Sequence, residues 1–132
     1  MSRVELAVET DLGAIGRFAH SAGTADAVAD GRCHLSREIG GEPVAIAILA
    51  PWFFDEVFLA LLFVAEPHRR RGHGRALLRH LVALHRDEKL FTSTNWSNQP
   101  MQALLESEGF VRSGLIDNLD EGDPELVFVK FP

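Results

Sequence analysis

Nine consecutive apolar residues, VFLALLFVA over 57–65, are followed at once by a proline and by a basic segment containing two glycines. A run of this length, rich in large and β-branched side chains, predicts a strand buried on both faces at the centre of a sheet. Pro67 ends the strand, and residues 69–74 form a turn. A helix is expected over 76–85, with Leu77, Leu78, Leu81, Val82 and Leu84 on its apolar face. A short strand over 90–94 completes the series. Strand, helix and strand in this order form a crossover, so the two strands run parallel.

The rest of the chain organises around that unit. Residues 4–8 alternate as a first strand, and Thr10 or Asp11 caps a helix carrying Leu12, Ile15, Phe18 and Ala19 on one face. The Ala/Asp/Gly stretch over 21–31 reads as a second helix or a mobile loop. Strands over 33–39 and 43–50 flank Gly40-Gly41, a hairpin signal. A helix from about 99 to 107 stops at Gly109. Strands over 110–116 and 125–131 close the chain as an antiparallel pair around an acidic loop. The expected fold class is α/β: a mixed sheet of six or seven strands, mostly antiparallel with one parallel pair, and about four helices. With 132 residues, no internal repeat and no linker, residues 1–132 read as one domain.

Composition narrows the function. Cys33 is the sole cysteine; it excludes an internal disulfide and a thiolate metal cluster, and no metal is expected. No apolar run approaches the roughly 18 residues of a membrane span, and the first residues lack a signal core, so a cytoplasmic protein without a membrane partner is expected. The net charge of −6 argues against nucleic acid as a partner. Yet residues 66–89 carry +4, which leaves −10 for the remainder. The two opposed fields suit an anion at one place and a cation at another.

The basic turn reads Glu66-Pro67-His68-Arg69-Arg70-Arg71-Gly72-His73-Gly74-Arg75-Ala76. Between a strand end and a helix start, several main-chain N–H groups lack internal partners, and the helix dipole adds positive potential. Glycines admit a bulky anion to that backbone, and the arginines add counter-charge. It is not a Walker loop, since no Gly-Lys-Ser/Thr follows. Nor is it a dinucleotide fingerprint, whose third glycine position is Leu77 here.

At these residues the chain resembles the Gcn5-related N-acetyltransferase (GNAT) superfamily, whose signature is Arg/Gln-x-x-Gly-x-Gly/Ala after a strand ending in Leu-x-Val. Arg69-x-x-Gly72-x-Gly74 follows Leu62-Phe63-Val64, and downstream Asn98 and Gly109-Phe110 match a second family motif, whereas Met101 and Leu105 depart from it. The resemblance implies a GNAT-like fold whose parallel pair is splayed, and an acetyl-CoA site. It implies that backbone groups of Leu62, Phe63 and Val64 pair with the pantetheine arm, that Arg69, Arg70, Arg71, Gly72, His73, Gly74 and Arg75 surround the pyrophosphate, and that Asn98 bonds the pantetheine near the thioester. The activity implied is acetyl-CoA-dependent transfer of an acetyl group to a primary amine by direct attack, with CoA as product. A non-catalytic acyl-CoA-binding regulatory module of the same fold is the alternative.

Acetyl transfer needs a neutral amine, a polarised carbonyl and a proton for the leaving thiolate. The resemblance places a tyrosine acid at position 105, which is Leu105, and the chain contains no tyrosine. Ser93, Ser97 and Ser107 are the nearby hydroxyls, and Glu56, with Asp55 and Glu66, the nearest carboxylates to the central strand. His34, on an early strand, is a candidate pocket residue; His68 and His73 are expected to contact an anion or solvent. Cys33 has no paired base for thiol attack. For the acceptor, Asp117, Asp120, Glu121, Asp123 and Glu125 favour a cationic small-molecule or peptide amine, or else only solubility. Trp52-Phe53-Phe54 places one ring in the core and offers the others to a pocket or to a second copy of the chain in a homodimer.

Overall fold

A computed structural model describes residues 2–132. Among these, the strands are β1 (Ser2–Leu6), β2 (Cys33–Glu38), β3 (Pro43–Leu49), β4 (Val57–Val64), β5 (Leu90–Asn95), β6 (Val111–Ile116) and β7 (Glu125–Lys130); the helices are α1 (Leu12–Ile15), α2 (Thr24–Ala29), α3 (His73–Leu84) and α4 (Gln99–Ser107). The strands form one seven-stranded sheet in the order β1-β2-β3-β4-β5-β7-β6. The chain packs as two compact units, one containing residues up to Pro51 together with Ala60–Leu81, the other containing Trp52–Leu59 and Val82–Pro132.

In the first unit, β2 is flanked by antiparallel β1 and β3. Its core gathers Ile15, Ala27, Cys33, Leu35 and Ile46, with Phe18, Leu61 and Phe63 packed against it. The expected long first helix is instead a 3-10 turn at Glu9–Asp11 and a single α-helical turn. Gly13 and Gly16 lower helix propensity there, but Ile15 and Ala19 still reach the core. The 21–31 stretch resolves as the six-residue α2. β1 ends at Leu6, two residues earlier than expected, because the Val8 N–H is taken by Asp11 Oδ2 at 2.9 Å.

In the second unit, the parallel ladder expected from the crossover is present: Val57, Phe58 and Leu59 face Leu90, Phe91 and Thr92. The last strand, β7, inserts between β5 and β6 and is antiparallel to both. Gly109, at φ 88°, closes α4, with the Phe110 N–H on Leu105 O at 3.0 Å.

Two expectations need correction. β4 is not buried on both faces: only Leu59 is buried, Ala60 is exposed, and the remaining residues are half-buried. The ladder to β5 stops at Leu59, so apolar composition here marks something other than a fully covered strand. Likewise α3 begins at His73, three residues before the expected start. The Ala76 N–H already bonds Gly72 O at 2.9 Å, so Gly74 is helical despite its low propensity.

Candidate active site

β4 leads directly into the basic turn. Leu61 and Phe63 pack on the core of the first unit, so strand alternation turns Leu62 and Val64 to the opposite face. The Ala65 N–H is taken by Val44 O at 2.8 Å, and a 3-10 turn over Glu66–His68 follows. Two left-handed residues then redirect the chain, Arg70 at φ 64° and Gly72 at φ 86°. A Cβ placed on Gly72 would meet nothing within 4 Å, so its backbone faces open space. The first i→i−4 bond of α3 is Ala76 to Gly72, which leaves the amides of His73 and Gly74 without intrahelical acceptors.

The three arginines divide their roles. Arg69 Nε donates to Val64 O at 3.0 Å, with the guanidinium 5.5 Å above the Phe63 ring. Arg71 Nη1 donates to Glu38 Oε1 at 2.8 Å. Arg70 is exposed. Of the two histidines, His73 is buried and bonds Ser36 Oγ through Nδ1 at 2.7 Å. His68 Nδ1 lies 3.2 Å from Glu38 Oε1. Both histidines thus meet an anion, the Glu38 carboxylate. Glu38, which sequence reading did not single out, is held well below the usual carboxylate range, to about 2, first by the Arg71 bond and then by His68 and His73. Only the acidic end of a polar strand, Arg37-Glu38, signalled it.

His34 is buried, its Nδ1 3.2 Å from His80 Nε2. Cys33 is buried too, and desolvation, aided by the Asp11 charge, pushes its thiol up to about 11. Leu105, at the position of the usual phenol, is fully buried. Ser97 Oγ donates to Asp123 Oδ2 at 2.6 Å, and Ser107 Oγ to Leu104 O at 2.7 Å. Asn98 caps α4, accepting the Met101 N–H at 3.2 Å, which leaves its NH2 as the group available to a ligand. Glu56 is exposed.

Three of the five carboxylates of the acidic loop are structural. Asp120 Oδ2 accepts from Asn95 Nδ2 at 2.8 Å, Asp123 also accepts the Ser97 N–H at 3.0 Å, and Glu125 accepts from Ser93 Oγ at 2.7 Å. These bonds tie the loop to the end of β5, and Asp117 and Glu121 stay exposed. In the aromatic triplet, Phe53 packs between Phe58 and Phe91 at centroid distances of 4.4 and 5.3 Å. Trp52 and Phe54 are 64% and 70% exposed. A cleft of about 410 Å³ in the first unit, lined by Asp26, Arg32, Ile48, Leu49, Ala60 and Leu61 among others, was not foreseen. Nothing in the Ala/Asp-rich 21–31 stretch announced it.

Together these features place an open, amide-rich turn after a half-covered apolar strand. The sequence matches the model of the acetyltransferase (GNAT) family over residues 6–110. The chain belongs to the GNAT family. A GNAT acetyltransferase from Bacillus cereus is 33% identical, with a TM-score of 0.88 over 99% of this chain and 97% of that one. The ribosomal-protein-S18-alanine N-acetyltransferase of Escherichia coli is 26% identical, with a TM-score of 0.81 over 98% of this chain and 92% of that one. Arabidopsis thaliana Naa50, in complex with a bisubstrate analogue of CoA, shares the fold at 18% identity, with a TM-score of 0.78 over 98% and 97% of the two chains. No curated protein matches at a significant level. Among the described residues, the seven-stranded sheet with one parallel ladder and the four helices match the fold of GNAT acetyltransferase structures. Among the described residues, no helix is long and apolar enough to cross a membrane, and no cluster of side chains is suited to a metal ion.

Proposed function

We propose that this GNAT domain transfers an acetyl group from acetyl-CoA to a primary amine by direct attack of the amine on the thioester, in the cytoplasm. The observation that carries the reading is the turn at Arg70–Gly72: left-handed backbone at both residues, and open space over Gly72 where a side chain would stand. A diphosphate fits such a backbone because it needs close N–H donors and no intervening Cβ. Residues 69–75 hold it there, with Arg70 adding charge from an exposed side chain. Leu62, Phe63 and Val64 offer main-chain groups to the pantetheine arm, and the Asn98 amide bonds it nearer the thioester. Acetyl-CoA supplies the activated acyl group.

For the proton steps, this chain's own residues provide little specific help. Leu105 is buried and aliphatic, Ser97 and Ser107 are engaged, and the Cys33 thiol is too basic and too enclosed for acyl exchange. The attacking amine therefore loses its proton to Glu56 or to water, and the thiolate takes one from water, which is competent at a thiol's ordinary pKa. Exposed Asp117 and Glu121 favour a cationic acceptor. The E. coli relative, named for an alanine of a ribosomal protein, makes a peptide or protein N-terminus the first class to try. Exposed Trp52 and Phe54 suit either an acceptor or a homodimer contact.

The buried Leu105 and the carboxylate-free β4 specifically favour a second reading, in which the domain binds acyl-CoA without turnover. CoA release, measured with peptides, polyamines and amino acids, decides between the two. Amine-dependent release supports transfer. Tight CoA binding with no release on any amine supports the binding module. Absence of CoA binding would sink both.

A further inference from the structure

Glu38 stands at the end of β2, just past the register shift between Ser36 and Arg37. Its Oε1 is the meeting point of three groups from the turn: Arg71 Nη1 at 2.8 Å, His68 Nδ1 at 3.2 Å and His73 Nε2 at 3.5 Å. These contacts bracket the strained residue, since Arg70, a non-glycine at φ 64°, lies between His68 and Arg71. A left-handed arginine persists only where its surroundings over-determine it. Behind the carboxylate, buried Ser36 bonds His73 Nδ1 at 2.7 Å. A carboxylate only accepts, so the Nε2 of His73 that faces Glu38 carries a proton. The Ser36 side chain is fully buried, so this chain of groups serves to orient His73 and has no nucleophile within reach of a substrate.

A carboxylate beside an anion site is an electrostatic handicap. By charge alone, removing it should tighten diphosphate binding. We propose that Glu38 is a positioning residue: by gripping His68, Arg71 and His73 together, it holds the Arg70–Gly72 backbone in the conformation that receives the diphosphate of CoA. This rests on the reading of that turn as the CoA site. The depressed titration of Glu38 keeps the grip ionised throughout the neutral range.

The charge effect and the bracing effect have opposite signs, so one substitution separates them. In the full chain, Glu38→Gln is expected to weaken CoA binding about tenfold by calorimetry. In the same variant without ligand, hydrogen exchange of the Ala76 amide, whose N–H bonds Gly72 O at 2.9 Å, should quicken about tenfold while the Leu81 and Val82 amides deeper in α3 keep wild-type rates. Equal or tighter CoA binding by the variant overturns the proposal. So does unchanged exchange at Ala76, or a quickening spread evenly through α3. If the wild-type chain fails to bind CoA, the acetyl-CoA reading falls, and exchange alone still decides whether Glu38 braces the turn.

Discussion

The Thr92 hydroxyl donates to the main-chain oxygen of Leu59 at 2.9 Å, at the last rung of the only parallel ladder among the described residues. Thr92 is 2% exposed, so the bond closes the ladder where no water can replace it. Thr92→Val keeps the shape and orphans the buried carbonyl, at a cost of about 1–2 kcal/mol. Chemical denaturation should show that loss. A stability equal to wild type would mean that Leu59 O finds another donor.

Gly72 makes a sharper test of the site. Any side chain there bears the left-handed penalty of about 1–2 kcal/mol, but none meets an obstacle within 4 Å. Gly72→Ala should therefore lower the melting temperature by a few degrees, and Gly72→Glu by a similar amount. Only Gly72→Glu, which puts a carboxylate over the amides, should abolish CoA binding. Retained affinity in Gly72→Glu would place the cofactor elsewhere.

Glu38 also sets a pH signature. Its carboxyl is lowered from 4.5 to about 2 in the folded chain, so the unfolded state binds the proton more readily. The stabilisation it contributes is complete above pH 4.5 and is lost as pH falls through about 2. Thermal melts of wild type and Glu38→Gln should therefore converge as the solution is acidified across that window. Parallel curves down to pH 2 would contradict the geometry at Oε1.

Cys33 should be inert. Burial and the Asp11 charge raise its pKa to about 11, so almost none is thiolate at pH 8. A thiol reagent should label the native chain only as fast as it unfolds, and acetyl transfer should survive Cys33→Ala. Rapid stoichiometric labelling in the native state would contradict the burial.

At the Phe53–Glu56 turn, Phe54 and Asp55 are both left-handed, at φ 50° and 62°, and the Glu56 N–H bonds Phe53 O at 2.8 Å. This is a turn that favours glycine at its second central position. Asp55→Gly should stabilise the fold by about 0.5–1 kcal/mol, net of glycine's entropy cost. A destabilised variant would show that the Asp55 side chain does more for the turn than its conformation costs.

Local pattern determined much of this protein. The apolar run, Pro67 and the glycine turn announced a strand, an anion-binding turn and a helix, because strand periodicity and turn chemistry depend on neighbours in the chain. The α4 boundaries and the antiparallel closing pair were legible for the same reason. What tertiary structure alone decided were the pairings across long separations. Glu38 meets Arg71 across 33 residues, and no composition of the turn itself reveals that its arginine is already spoken for. Leu105 is buried, and the acidic loop is stitched to β5, for reasons of packing and hydrogen bonding that act between distant segments. Backbone preferences are short-ranged; desolvation and charge pairing act on whatever the fold brings together.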